Sequence, residues 1–185
     1  MGEALEKAVP LLVKAGAYAG PRGLAGALLF EACWGNRYDV VQLLLDRGVD
    51  VNGRFGDAMF GEDGRTALFS VAGGGPHDVV ELLLNHWADI TAKDVSYDTV
   101  LMAAINGRNS RRPLETIKRL LKLSVDVNAQ NSVGDTGLHL LHISNYTYKK
   151  KRIIAKLLLE KGIYPLENVA VVQSSILTFV TSYGI

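Results

Sequence analysis

Two histidines three positions apart, His139 and His142, are the first candidates for metal ligands in this sequence. On a helix they would share one face, where two imidazoles could hold a metal ion. No cysteine, aspartate or glutamate is placed to complete a set of ligands nearby. The sequence therefore favours a structural role for His139, and we expect no metal site.

Three other features could carry chemistry, and each has a simpler explanation. Gly73, Gly74 and Gly75 are similar to a phosphate-binding loop but lack the following Lys-Ser/Thr, so a turn between two helices is favoured. The single cysteine, Cys33, fits an inert core thiol better than a nucleophile. No Ser-His-Asp order, paired carboxylates or dinucleotide fingerprint stands out. We expect no catalytic residue and no cofactor, and we expect that the chain is not an enzyme.

Composition sets few limits on the partner. The chain has 185 residues, 48% of them hydrophobic, with 20 Lys plus Arg against 19 Asp plus Glu. This near-neutral balance favours no class of partner. A lone cysteine fits a reducing compartment, and no apolar run approaches the ~18 residues of a membrane span. We expect no membrane partner and a cytoplasmic location, which could extend to the nucleus.

One phrase recurs along the chain and predicts a series of amphipathic helices. Its copies lie at 8–19, 39–52, 78–91, 115–128 and 154–166, as in DVVQLLLDRGVDVN and DVVELLLNHWADIT. A second phrase precedes each, as in GRTALFSVA and DTVLMAAI. Thr66, Thr99 and Thr136 open the clear copies, where a hydroxyl can cap a helix N-terminus.

This arrangement, with T-x-L-(H) opening a first helix and V-V-x-L-L-L within a second, resembles the ankyrin repeat. The resemblance implies an all-α solenoid of helix-turn-helix units with short β-turn fingers. We expect one domain over 1–185, with about four full units and a half unit at each end. The approximate units are 1–21, 22–60, 61–93, 94–130, 131–168 and the partial 169–185.

Departures from the family pattern raise two structural questions. The glycine that ends the second helix is kept at Gly48 and Gly162 but replaced by Trp87 and Ser124. Those helices either end differently or lose stability, because a left-handed non-glycine residue costs about 1–2 kcal/mol. Extra residues fall in the finger between Asn52 and Thr66, in NGRNSRRP, and in SNYTYKKKR, and we predict that all three insertions form loops.

The resemblance implies a protein-binding scaffold whose partner contacts the concave side, made by the fingers and first helices. The alternative is a regulatory or targeting module of a larger enzyme. Nucleic-acid binding through basic loops is a weaker third option, which retention on heparin would test. The long finger either contributes to binding or folds back on itself. The expected partner-binding residues are Trp34, Phe55, Met59, Phe60, Glu62, Asp63, Arg65, Val95, Ser96, Tyr97, Asp98, Asn106, Ser132, Val133 and Asp135.

Charge should be segregated between the fingers and the opposite edge. The fingers carry Asp57, Glu62, Asp63, Asp94, Asp98 and Asp135. Equivalent loops of neighbouring repeats lie side by side, so the two basic insertions should merge into one ridge. Its residues are Arg108, Arg111, Arg112, Lys149, Lys150, Lys151 and Arg152. The last four also resemble a nuclear-localisation signal, the alternative being a solvated loop entering a helix.

The two ends of the chain are predicted to be half units. Residues 8–16 have the pattern of a second helix, and 174–185 have that of a first helix without its partner. Because terminal units of a stack need polar outer faces, we expect a longer array or self-association through the C-terminal half unit. An irregular or frayed tail is the alternative.

Overall fold

The computed structural model describes residues 24–55, 64–107 and 113–162. Most of these residues lie in helices that follow one another in pairs. Two short strands pair antiparallel at the base of the long finger, with Arg54 opposite Thr66 and Phe55 opposite Arg65. The predicted all-α repeat solenoid is confirmed. The elements are α1 (Leu24–Trp34), α2 (Tyr38–Asp46), β1 (Arg54–Phe55), β2 (Arg65–Thr66), α3 (Ala67–Gly74), α4 (His77–Asn85), α5 (Val100–Asn106), α6 (Pro113–Lys122), α7 (Gly137–Ile143) and α8 (Tyr148–Glu160).

In three units the first helix, α3, α5 or α7, begins directly after the predicted threonine. Thr66 Oγ1 accepts a hydrogen bond from the Phe69 N–H at 3.3 Å, which satisfies a backbone donor at the start of α3. Thr99 does the same for the Met102 N–H at 3.2 Å. At the start of α7 the capping bond has the opposite direction, because the side chain of His139 accepts through Nδ1 from the Thr136 N–H at 2.9 Å. The predicted N-cap positions are therefore confirmed.

The repeated leucines form one core along the stack. Leu29, Leu68, Leu101 and Leu138 are buried in the first helices. In the second helices, Leu44, Leu83, Leu120 and Leu158 are wholly inaccessible to solvent. Each helix pair packs on its neighbours, so burial of this apolar surface links successive units.

The second helices end alike whether or not glycine is present. Trp87 has φ +64° and Ser124 has φ +58°, in the same left-handed region as Gly48 at +80°. Trp87 N donates to Leu84 O at 3.1 Å, and Ala88 N donates to Leu83 O at 3.0 Å. These are the two bonds of a Schellman motif. Trp87 and Ser124 therefore keep the left-handed cap of the family and carry its strain.

Only residues 144–147 of the insertion SNYTYKKKR form a loop, and the rest lengthens a helix, so the prediction that the whole insertion forms a loop is wrong. Helix α8 has 13 residues against 9 in α4, and Lys149, Lys150, Lys151 and Arg152 lie in its first turns. The segment contains no glycine or proline to stop the helix, which begins after Thr147. The insertion NGRNSRRP lies mostly at 108–112, outside the described residues.

Side chains also join neighbouring units. Asn52 Nδ2 donates to Trp87 O at 3.3 Å, while Asn52 Oδ1 accepts from Asp89 N at 2.7 Å. Asn128 Nδ2 donates to Gly162 O at 3.1 Å, two units further along. Between these joins, Arg119 Nε contacts both carboxylate oxygens of Glu81, at 2.9 and 3.0 Å.

Candidate protein-binding face

Two of the fingers are the turns at 94–98 and 131–135, which precede α5 and α7. The same pattern of local hydrogen bonds stabilises both. Asp94 Oδ1 accepts from Ser96 N and Asp98 N, each at 2.9 Å. In the next finger, Asn131 Oδ1 accepts from Val133 N at 3.1 Å and from Asp135 N at 2.9 Å. Asp94 is buried and also lies 3.5 Å from Arg65 Nη2. The prediction that Asp94 adds to an acidic finger surface is therefore wrong, because its carboxylate folds the turn.

These fingers are bonded to each other and expose apolar side chains. Ser132 N donates to Ser96 O at 2.8 Å, and Asn131 Nδ2 donates to Asp98 Oδ1 at 2.8 Å. Val95, Tyr97 and Val133 are 59%, 60% and 77% exposed. We call these three the finger-tip patch. Because the fingers are linked, the patch is held on a fixed backbone.

Tyr97 has a strained backbone at this tip. Its φ is +62°, and glycine occupies the equivalent positions in the flanking fingers, Gly64 and Gly134. A left-handed non-glycine residue costs about 1–2 kcal/mol. Strain of this kind persists where the surrounding structure enforces it, often at functional sites. The aromatic ring therefore stands at the finger tip at a cost to stability.

A pocket of about 520 Å³ lies beside the fingers, between the first helices. Its aromatic wall is Trp34, 69% exposed, with its ring stacked parallel to that of Phe30 at 6.5 Å. Arg65 lies over the Phe69 ring at 5.2 Å. Asp98 and Asn106 also line the pocket. The structure thus brings four of the predicted binding residues to one pocket: Trp34, Arg65, Asp98 and Asn106.

The glycine run belongs to this pocket and has a packing role. Gly73 and Gly74 end α3, and Gly75 is its C-cap. A Cβ at Gly75 would lie 2.7 Å from Val71 Cβ, and one at Gly73 would lie 3.3 Å from Ala103 O. Close packing explains both glycines, in agreement with the predicted helix–helix turn.

The buried Cys33 and the half-buried His139 have the chemistry of structural groups. Burial raises the pKa of the Cys33 thiol to about 12, so the thiolate nucleophile is suppressed. Burial lowers the pKa of His139, opposed by the negative charge of Asp135 and reinforced by His142. Within 24–55, 64–107 and 113–162, no group of three or more His, Cys, Asp or Glu could hold a metal ion.

Neutral His139 should make stability depend on pH. Its folded pKa lies below the unfolded value of about 6.5, so the unfolded chain takes up the proton first as pH falls. This stabilisation is therefore present above about pH 6.5 and lost as pH falls through the folded pKa. In His139→Gln, the amide oxygen can still accept from Thr136 N–H but does not titrate. Urea unfolding should show a smaller loss of stability in the variant than in the native chain between about pH 7.5 and 5.5. Equal losses would contradict this role.

The remaining predicted residues lie on the fingers, in β1 or outside the described segments. Ser96 and Ser132 are exposed on the fingers, and Asp135 is half-buried at the start of α7. Phe55 contributes its backbone to β1. Outside the described residues lie Asp57, Met59, Phe60, Glu62, Asp63, Arg108, Arg111 and Arg112. The half units at both ends lie outside as well, so self-association stays a prediction.

The basic ridge also stays a prediction, although its second half has structural contacts. Lys151 Nζ donates to His142 O at 2.6 Å, and Lys150 Nζ lies 5.9 Å from the centre of the Tyr146 ring. The single hydroxyl proton of Tyr146 is shared between Ala104 O, 3.2 Å from Oη, and Gly107 O, 3.1 Å from Oη. Sequence reasoning missed Tyr146, which satisfies carbonyl groups at the end of α5. Its position in an insertion gave no repeat-based signal.

Comparison with known families agrees with the geometry. The family model described as ankyrin repeats (3 copies) matches residues 29–131, and the chain belongs to this family. Ankyrin repeats are in general protein–protein interaction modules, and the fold is non-catalytic. A search of curated proteins gave no match. Among the described helices, none is long and apolar enough to cross a membrane.

Proposed function

We propose that the chain is a scaffold or adaptor that binds a partner protein through its fingers and first helices. The observation that carries this proposal is the finger-tip patch. Val95, Tyr97 and Val133 expose apolar side chains on fingers that are hydrogen-bonded to each other. Exposed aromatic side chains on a fixed backbone are typical anchors of protein interfaces, because little conformational entropy is lost on binding.

The proposed surface extends from this patch to the pocket beside Trp34. Arg65, Asp98 and Asn106 line that pocket and supply polar groups around an apolar centre. This combination is typical of interfaces, which have an apolar core and a polar rim. Asp135 and the residues of the long finger, Phe55, Met59, Phe60, Glu62 and Asp63, belong to the same proposed surface.

Tyr97→Gly gives a direct test, because it removes the ring and also relieves the left-handed strain. A partner would be captured with the full chain, purified, and titrated against each variant. We expect the affinity to fall about tenfold while the free energy of unfolding rises by about 1 kcal/mol. A merely destabilising substitution would not produce this pair of opposite effects.

Trp87→Gly is the matched control, since it also replaces an exposed aromatic residue with positive φ but lies at the end of α4. We expect it to bind the partner with native affinity. The proposal is wrong if Phe55→Ala, Phe60→Ala and Tyr97→Gly all bind that partner as tightly as the native chain.

A further inference from the structure

The pocket beside Trp34 has a shape suited to one large apolar side chain. Phe30, Trp34 and Phe69 form aromatic walls, and Gly73, Gly74 and Gly75 line it without side chains. Its volume of about 520 Å³ lies within the roughly 300–1,000 Å³ of ordinary ligand sites. Of the wall residues, Trp34 is the most open, at 69% exposure. An aromatic or large aliphatic side chain could stack against it.

The charges around the pocket favour a cation. Arg65 is the basic residue of the lining, and its guanidinium lies 3.5 Å from the buried Asp94 carboxylate. Asp98 lines the same pocket, and Asp135 occupies the equivalent position in the next unit. Neither Asp98 nor Asp135 forms an ion pair with any residue in the described ranges. A positive charge on the partner would complete this arrangement.

Two polar side chains at the pocket suit an extended backbone. Ser70 is 9% exposed, and its Oγ is buried without a hydrogen-bond partner within the described part of the chain. Asn106 is exposed and lines the pocket. A helix satisfies its own peptide groups, whereas an extended segment offers N–H and C=O groups that a hydroxyl and a carboxamide can bond.

We propose that this pocket binds an extended peptide segment carrying an aromatic or large aliphatic residue and, close to it, a lysine or arginine. The apolar side chain stacks on Trp34, and the cation lies against Asp98 and Asp135. Trp34 ends α1 and Asp98 precedes α5, so two helix spacings of roughly 8–10 Å each, or about five to six residues of extended chain, separate them. The basic residue therefore lies about five or six positions from the apolar one. This inference rests on the proposed function and names the chemistry of the partner.

A displayed library of random dodecapeptides, selected on the full chain, tests the proposal. We expect enriched peptides to combine an aromatic or large aliphatic residue with a lysine or arginine about five or six positions away. One selected peptide, fluorescently labelled, is then titrated against the native chain and its variants. Trp34→Ala should weaken binding at least about tenfold. Asp98→Asn and Asp135→Asn should each weaken it roughly threefold or more and reduce its salt dependence.

Two matched controls separate the pocket from general effects of composition. Trp87→Ala removes the other tryptophan, which is 88% exposed. Asp126→Asn removes an exposed carboxylate whose Oδ1 accepts from Asn128 N at 2.9 Å, a bond that asparagine can keep. Both should bind the peptide with native affinity. In Asp98→Asn the bond from Asn131 Nδ2 can likewise be kept, so thermal unfolding should show a native-like fold.

The outcomes distinguish this inference from the proposed function. Enriched apolar peptides without a basic residue, still sensitive to Trp34→Ala, would overturn the inferred cation and leave protein binding by this face intact. The inference also fails if no peptide is enriched or if selected peptides bind Trp34→Ala as they bind the native chain. Loss of the proposed function would instead be seen with the captured partner and Tyr97→Gly.

Discussion

Replacing Gly107 with alanine should lower the free energy of unfolding by about 3 kcal/mol or more. A Cβ at Gly107 would overlap the carbonyl oxygen of Gly73 in the neighbouring unit. This contact is with backbone, which cannot rotate away as a side chain can. Gly107 is also buried, and its own carbonyl accepts from Tyr146 Oη at 3.1 Å. The clash should therefore force two units apart.

Urea unfolding followed by circular dichroism measures this effect, with Gly26→Ala as the matched control. Gly26 lies in α1, and a Cβ there would have no atom within 4 Å. Alanine favours a helix over glycine by about 1 kcal/mol, so the control should be as stable as the native chain or more so. Equal unfolding midpoints for the two variants would show that the close approach of Gly107 and Gly73 is not required.

The double variant Trp87→Gly with Ser124→Gly should gain about 2 kcal/mol of stability, close to 1 kcal/mol from each site. Both residues have positive φ at the end of a second helix, at +64° and +58°. The loss of packing is small for Trp87, which is 88% exposed. Thermal unfolding of the double variant should move to a higher midpoint than that of the native chain.

The converse substitution provides the control for this backbone effect. Gly48 has φ +80°, and a Cβ there would meet no atom within 4 Å. Gly48→Ala should therefore lose about 1 kcal/mol through backbone strain alone. If Gly48→Ala is neutral and the double variant gains nothing, the left-handed conformation does not limit the stability of these caps.

The regular part of the fold could be predicted because local chemistry repeats with the chain. Thr66 and Thr99 cap helices through their own hydroxyl groups, and the leucines that follow are buried at fixed offsets. Each of these features depends on residues a few positions apart. A sequence pattern carries such information directly.

Features that depend on contact between units were not predictable in the same way. The greater length of α8 could have been recognised from the sequence, because Thr147 precedes a segment without glycine or proline. The contact of Tyr146 with Ala104 had none, because it joins residues 42 positions apart in a segment outside the repeat pattern. The pocket likewise forms from three successive units. Its charge balance follows from the pairing of Arg65 with Asp94, which only the folded fingers bring about.

The joins between units differ in a way that bears on how the stack responds to its surroundings. Asn52 and Asn128 connect their units through hydrogen bonds of neutral side-chain amides. Between these units, Arg119 and Glu81 form an ion pair. Dissolved ions screen the attraction between charged groups and leave hydrogen bonds between neutral groups largely unaffected. Ionic strength therefore acts unevenly along the molecule. Within the part of the chain that the structure describes, the contact between the two middle units is therefore more sensitive to salt than the asparagine contacts on either side of it.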